Sequence, residues 1–504
     1  FFFDTPHGLV LCSKTTTIGQ SMEGHDDPLV KDGKSLSLAG TKAVVPFLTT
    51  LFIKLPFWIL ILLPTSIIYL AAAKLFLKPK KEKAAKEVDV AFDEGASKPL
   101  STRSNDIVLL GATGFTGKLA AQYLAKNYGT SVKWAIAGRR LGALRELRDH
   151  LVAINPDLKD LPLLVVDTSV PEQVTEMVTD TRVVITTAGP FAAYGTPIVQ
   201  ACAVYGTGYC DITGESDWVR QMIDRFDDEA RRSGARIVHF CGHDCVPWDL
   251  LTLQAAKQLK SKGETLSSIE CFDEIRGDMS GGTVATFFLS LENRVKYKPQ
   301  LGFDPLVKTK QGDKSTAKFR IDNQARLGYS SQSKTWIGPF VMAVVMANCI
   351  RRSNAVNGYS PKMTYRESMV YASFMAGFVQ FIDFIIFGTV IVTRPLGSLF
   401  RRTLLPKQGE GPSEAKMDKG FLKITAFAEG DKGGRVKCWL YFPTDPGYRD
   451  TARMLVESGL ALLDPDVGAE GGVFTPATCQ GSVLLQRLIN TGCSYHMEEI
   501  GGSK

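Results

Sequence analysis

The chain has 504 residues, 44% of them hydrophobic, with 59 Lys and Arg against 52 Asp and Glu. That length allows two or three cores, and the composition excludes wholesale disorder and coiled coil. A net charge of +7 is too mild to make nucleic acid the expected partner, and ten scattered cysteines argue against a small disulfide scaffold. The mean hydropathy of 0.00 is high for a soluble enzyme, so ordinary domains should be carrying added apolar segments.

Residues 1–42 are polar and aperiodic and read as a disordered tail. Residues 43–77 read as a hydrophobic membrane segment. Within them, 55–73 holds no charged residue, and about 20 apolar residues suffice to cross a bilayer as a helix. Pro56 and Pro64 interrupt the pattern; Pro64 should kink a helix, so a bent helix and a hairpin dipping into one leaflet both stay open. Lys74, Lys78, Lys80, Lys81, Lys83 and Lys86 follow. Such cations favour the cytoplasmic side and bind anionic head groups at about 1 kcal/mol each. A buried core helix and a signal peptide are the competing readings; length and flanks oppose the first, the missing small-residue cleavage site the second. Residues 78–104 are a charged linker.

From residue 105 the pattern becomes alternating strand and helix. A short apolar run at 106–110 leads into Gly111-Ala-Thr-Gly-Phe-Thr-Gly117, and helical spacing follows over 118–126. Gly111 suits a tight turn, Gly114 close approach to a pyrophosphate, and Gly117 close packing of helix on strand. The G-x-x-G-x-x-G spacing is looser than the strict dinucleotide fingerprint, and a structural glycine turn is the competing reading. A second strand at 133–137 ends in Gly138-Arg139-Arg140. NAD enzymes place an acid here; two arginines suit the 2′-phosphate of NADP(H) better, a solvated helix start being the alternative. Further strands are expected at 163–166, 182–187, 209–212 and 236–240, with helices at 171–178 and 197–205. Asp167 ends the third strand, and Gly189-Pro190-Phe191 follows the fourth. This alternation predicts an α/β fold, a Rossmann-type doubly wound parallel sheet over 105–250 with ligands at the carboxyl ends of its strands.

Residues 251–474 are expected to form an α+β substrate domain. Inside it, 369–392 is apolar apart from Asp383 and precedes Arg394, Arg401 and Arg402. One acid in hydrocarbon costs about 2.5–3.5 kcal/mol, so an interfacial helix is preferred to a span, with a core helix still open. Asp273, Glu274 and Asp278 around Arg276 read as a solvated strand edge, and 405–419 as a loop. Tyr194, Glu215, His243 and Asp244 lie at predicted strand ends and are candidate proton donors. Packing for Tyr194 and backbone contacts for the others are the bland alternatives. Cys241, His243 and Cys245 lack a second paired spacing, so no metal is expected.

Taken together, GATGFTG, AGRR, TTAGPFAAYG, YCDITGE, CGHDCVPWD, SGGT and GGVFTPA resemble the saccharopine dehydrogenase-like oxidoreductases. That family includes mycobacterial trans-acting enoyl reductases and a lipid-droplet-associated animal protein. The resemblance covers roughly residues 105–492. It implies a Rossmann domain, an inserted α+β domain, and a C-terminal helix over 475–504 returning to the first domain, here with an added N-terminal membrane anchor. It implies NADP(H) held by Gly111, Thr113, Gly114, Phe115, Thr116, Gly117, Arg139, Arg140, Asp167, Ala188, Gly189 and Pro190. Tyr194, His243 and Asp244 become the candidate catalytic residues, and Glu215, Gly282 and Thr283 the candidate substrate contacts. Asp211, Gly214, Gly242, Pro247 and Asp249 also match family positions, whereas His243, Cys245 and Trp248 replace the family's usual Phe, Ser and Ala. The expected activity is reduction of a C=C or C=O group in a lipid-like substrate at a membrane or lipid-droplet surface, with the catalytic domain facing the cytosol. A homodimer is an open assembly. Imine reduction of the saccharopine type and a non-catalytic NADP-binding scaffold are the alternatives.

Overall fold

The computed structural model describes residues 30–31, 34–35, 44–76, 98–277, 316–340, 342–393, 397, 410–468 and 470–501. Most of the expected tail and linker, and the candidate contacts Gly282 and Thr283, lie outside the described residues. Within 1–39, Val30–Lys31 and Lys34–Ser35 pair as a short antiparallel ladder. Helical turns then run unbroken over 44–76 (α1).

The apolar runs after residue 104 form β1 (Asn105–Leu110), β2 (Trp134–Gly138), β3 (Leu163–Val165), β4 (Thr181–Thr186), β5 (Gly208–Asp211) and β6 (Arg236–Val238). Between them lie α2 (Phe115–Asn127), α3 (Leu141–Ile154), α4 (Pro171–Thr179), α5 (Thr196–Tyr205) and α6 (Ser216–Ser233). Near-continuous apolar strands need cover on both faces, and the crossover helices provide it. α4, α5 and α6 seal one face around Val174, Ile198 and Met222, while α2 and α3 seal the other around Ala121, Leu124 and Leu144. The strands are parallel in the order β3-β2-β1-β4-β5-β6, the doubly wound arrangement expected from the sequence.

α7 (Val246–Ser261) leads into the second domain. Its elements are β7 (Leu266–Arg276), β8 (Lys318–Ile321), β9 (Gly328–Ser330), β10 (Thr335–Gly338), α8 (Ala343–Asn357), β11 (Lys362–Tyr371), α9 (Phe374–Val392), β12 (Phe421–Gly430) and β13 (Arg435–Phe442). They build a mixed sheet in the order β9-β10-β11-β7-β12-β13, with β8 also pairing to β11. One face is closed by α7 and α8 around Trp248, Leu251, Ile350 and Tyr365.

The last part of the chain stitches the two sheets together. α10 (Thr451–Ala461) packs on α2 and under β4 and β5, so it covers the first sheet although it follows the second domain's strands. β14 (Gly472–Phe474) adds a seventh parallel strand beside β6. The region expected as one C-terminal helix divides into a turn at Pro476–Cys479, α11 (Gly481–Asn490) and β15 (Ser494–Glu499). β15 pairs with β13, so the chain finishes on the second sheet and not on the first.

One buried acid holds this stitching. Glu457 of α10 is fully buried, and its carboxylate accepts from Tyr123 Oη at 2.8 Å, Tyr128 Oη at 2.6 Å and Arg487 Nε at 2.9 Å. Removing one partner of a buried pair strands the other, at a cost of about 3–5 kcal/mol. Arg487 keeps some solvent access, so Glu457→Ala should cost toward the lower end of that range. The midpoint of urea unfolding measures it, and an unchanged midpoint would rule the clamp out.

α1 and α9 are the two apolar tracts. Pro56 and Pro64 do not break α1. Proline lacks an N–H and its ring crowds the carbonyl four residues back. The turn before each proline widens instead: the N–H of Leu55 donates to Thr50 O, and that of Leu63 to Trp58 O, each five residues back. Such π-type turns keep the helix continuous where an α-turn would clash. α9 lies alongside α1, and Lys54 Nζ donates to Asp383 Oδ1 at 2.6 Å and Oδ2 at 2.9 Å.

Candidate cofactor and active site

The glycine-rich turn is shaped by space. Gly111 has φ +81°, a conformation only glycine adopts without strain. At Gly117 a Cβ would lie 2.2 Å from Gly111 O, so a side chain there would collide with backbone. β1 and α2 can therefore meet closely, as a loop that cradles phosphate requires. Gly114, the residue before α2, brings no side chain to cap the helix. The first-turn N–H groups of Phe115, Thr116 and Gly117 stand at the positive end of the helix dipole, a ready place for a pyrophosphate. The ring of Phe115 packs edge-on against Tyr448 at 5.3 Å and against Gly411, so its part in the loop is played by its backbone.

Beside this loop is a cavity of about 580 Å³ between α2 and α3. Thr113, Lys118, Gln122, Arg140, Glu146 and His150 are among the residues that line it. No acid stands where β2 ends. Arg140 faces the cavity, whereas Arg139 sits in the field of Asp167. Asp167 builds its own turn: Oδ1 accepts from Ser169 N at 3.0 Å and Ser169 Oγ at 2.7 Å, and these bonds hold its carboxyl below the usual range.

At the end of β4, Ala188, Gly189 and Pro190 lead into a helical turn at Phe191–Tyr194. Glu215 caps that turn, its two carboxylate oxygens accepting from Phe191 N at 2.8 Å and Ala192 N at 2.9 Å. Both oxygens are thus committed to backbone, and the expected substrate contact becomes a loop clamp. Burial pushes its carboxyl pKa up, the two N–H bonds opposing. Tyr194 is 44% exposed at the mouth of the strand ends. At the end of β5, Asp211 Oδ2 accepts from Tyr209 Oη at 2.9 Å and lies 2.7 Å from His239 Nδ1, all three being fully buried. This triad anchors the strand-six loop, where Phe240 (φ +66°) and Cys245 (φ +149°) hold strained backbone.

That loop presents His243 and Asp244. Burial pushes His243 down to about 4, so at neutral pH the ring is uncharged and carries no acidic proton to give. The expectation of a histidine titrating near neutrality fails here because the ring stands edge-on to Trp248 at 5.1 Å, with Nδ1 buried and unpartnered. Asp244 differs. Its side chain keeps 30% exposure and lies near Gly214 and 3.9 Å from His243 Nε2, yet surrounding protein pushes its carboxyl up to about 6. Asp249, one turn into α7, is a pin: it accepts from Ser353 Oγ at 2.5 Å and Ala477 N at 2.8 Å, joining α7, α8 and the segment after β14.

Behind Trp248 lies a pair of acids that sequence reasoning placed elsewhere or missed. The indole N–H of Trp248 donates to Asp273 Oδ1 at 2.9 Å, and Tyr365 Oη to Glu367 Oε2 at 2.6 Å. Asp273 and Glu367 are fully buried on adjacent strands β7 and β11, so Asp273 is not part of a solvated edge. Glu274, its neighbour on the opposite face, lies 3.8 Å from Lys423 Nζ, and Asp278 lies outside the described residues. Burial pushes both carboxyls up, Asp273 to about 7 against the hydrogen bonds from Trp248 and Glu367, and the charge of Asp273 raises Glu367 further. Two such groups in contact cannot both ionise, so the pair retains a proton at neutral pH. His243, Trp248, Asp273, Glu367 and Tyr365 thus form a chain of contacts from the Rossmann strand ends into the second sheet. The only hint in the sequence is Trp248, where the family's usual residue is small.

No family model matches the chain. A trans-acting enoyl reductase of Mycobacterium tuberculosis (strain ATCC 25618 / H37Rv) is 35% identical over 414 residues, covering 77% of this chain and 97% of that protein. A trans-acting enoyl reductase of Mycobacterium ulcerans (strain Agy99) is 35% identical over 412 residues, with 77% and 97% covered. Among solved structures, apo saccharopine dehydrogenase (L-Glu forming) of Saccharomyces cerevisiae has 11% identity and a TM-score of 0.46, covering 79% of this chain and 100% of that one. Identity above a third along nearly the whole length of the mycobacterial proteins is decisive: the chain belongs to the trans-acting enoyl reductase family.

Proposed function

We propose that the protein is an NADP(H)-dependent oxidoreductase, held at a membrane or lipid-droplet surface, that reduces a C=C or C=O group of a lipid-like substrate. The observation that carries the cofactor assignment is the end of β2. It offers Arg140 to a cavity beside the phosphate cradle and no carboxylate to receive a ribose 2′-hydroxyl. Gly111, Gly114, Gly117 and the first-turn N–H groups of α2 would hold the pyrophosphate, Arg140 and Thr113 the 2′-phosphate side, and Ala188 to Pro190 the far end of the loop mouth. When bound, the nicotinamide supplies the hydride. The chain itself must then place a proton at the strand ends. Asp244, held at about 6 and partly open to solvent, is the group best placed to give and recover it, with the exposed Tyr194 as the second candidate. The relatives named enoyl reductases favour the C=C bond. The exposed apolar helices favour a substrate that lives in lipid.

The cofactor assignment is tested by titration. Arg140→Ala should weaken NADPH at least about tenfold while leaving NADH nearly unchanged, because a charge-assisted phosphate bond is worth about 1.5–3 kcal/mol. Arg139→Ala should show a smaller selective loss, since Asp167 shares its field. Equal losses for both cofactors would remove the 2′-phosphate assignment. Turnover tests the rest: NADPH should be oxidised by an enoyl lipid, and saccharopine should not be oxidised by NADP+. Binding without oxidation of either would favour a scaffold.

A further inference from the structure

The two apolar helices run side by side in the same direction. Along their length Phe47 meets Phe378 at 5.5 Å, Lys54 meets Asp383, Trp58 Nε1 donates to Thr389 Oγ1 at 2.9 Å, and Thr393 Oγ1 donates to Ser66 Oγ at 2.6 Å. The first turn of α9 is seated on the second sheet, Phe374 lying 5.1 Å from Trp336 of β10. Lys54 is the only charge in Pro46–Ala71, and Asp383 the only one in Phe374–Val392. Each therefore neutralises the other within the pair. Around them the surface is apolar and open: Phe52 is 70% exposed, Leu60 73% and Ile68 69%.

Connectivity then restricts what this pair can do. α9 starts at the second sheet, α1 starts beside its first turns where Phe47 meets Phe378, and the chain is back in the globular body by Lys98 and Glu410. Had α9 crossed a bilayer, residues 394–409 would need to recross it, with Arg394, Arg401, Arg402 and Lys407 aboard. Residues 77–97, rich in Lys and acid, face the same obstacle if α1 leaves from the body side. Charged segments do not cross hydrocarbon unaided. Cations beside an apolar segment are stable at head-group level, where they attract anionic lipid.

We propose that α1 and α9 form a single wedge that enters one phospholipid leaflet from one side, with the Lys54–Asp383 pair as its internal charge lock and both basic flanks on the same surface. It rests on the membrane association proposed above and adds its topology: no segment crosses. A one-leaflet wedge suits a bilayer face and a droplet monolayer alike, because each offers one layer of head groups over hydrocarbon.

The test uses the full chain and vesicles of phosphatidylcholine and phosphatidylserine. Wild type should float with vesicles. Lys54→Ala, which strands Asp383 in the wedge, should lower the bound fraction constant at least about tenfold. The exchanged pair, Lys54→Asp with Asp383→Lys, should restore it, which separates a lock from a folding defect. In sealed microsomes, an epitope at residue 1 and another inserted near residue 90 should both be cut by added protease without detergent. If the chain floats but one epitope is protected, a helix crosses and the wedge is wrong. If wild type does not float and instead forms a dimer in buffer, the helices cover a second copy and the membrane association itself falls.

Discussion

Gly117→Ala is expected to abolish dinucleotide binding, weakening it more than about a hundredfold. The added Cβ would stand 2.2 Å from Gly111 O, 2.9 Å from Ala112 Cα and 2.9 Å from Thr187 Oγ1. Two of those neighbours are backbone, so no side chain can swing aside to make room. Either α2 retreats from β1 or the turn at Gly111 opens, and both move the N–H groups that would meet the phosphates. Overpacking of this kind also costs about 1–3 kcal/mol of stability. Binding must therefore be measured on folded protein, by titrating NADPH against fluorescence after circular dichroism has shown an intact fold. Gly468→Ala is the control, because its Cβ would meet nothing within 4 Å. Binding within threefold of wild type for Gly117→Ala would mean that the cradle is not the cofactor site.

The second large effect concerns pH. Asp273 is fully buried, and burial pushes its carboxyl from 3.8 to about 7, the hydrogen bonds from Trp248 and Glu367 opposing. Its folded-state pKa lies above its unfolded one, so the folded protein binds the proton more tightly. That contribution to stability is complete below about pH 4 and is lost as pH rises through about 7. Asparagine cannot ionise, and its side-chain oxygen can still accept from Trp248. Asp273→Asn should therefore gain stability relative to wild type as pH rises, by an amount on the order of a few kcal/mol between about pH 4 and pH 8. Urea midpoints at several pH values measure the gap. Parallel curves for the two proteins would show that the pair is not protonated in the folded state. The same series bears on chemistry: a proton held behind Trp248 is close to the strand ends where reduction would take place.

Much of the Rossmann half was legible because its signals are local. β1, the glycine turn and α2 lie within 105–127, and their spacing is set by sterics among neighbouring residues. Arg139 and Arg140 were legible as a pair. Their division of labour was not: the cavity face of Arg140 and the Asp167 field at Arg139 depend on how α3 leaves β2. His243 shows the limit most clearly. Its residue type indicates a group that titrates near neutrality, but the edge of Trp248 and the closed loop take water from it. The motif points to Glu215, yet only the folded loop reveals that both its oxygens accept from Phe191 and Ala192.

By itself, then, the sequence determined the strand–turn–helix order, the glycine-rich turn, the absence of an acid after β2, and two apolar tracts with basic flanks. All of these follow from residue type at short separation, where backbone sterics and hydrophobic period act directly. The tertiary structure alone decided that Asp273 and Glu367 share a dry interior, that Gly472–Phe474 completes the first sheet, and that Lys54 answers Asp383 from 329 positions away. A strand of three residues carries no readable period, and an acid in a strand looks solvated until its face is known. Whether a lone charge in an apolar helix is a cost or half of a lock depends on a partner that chain distance hides.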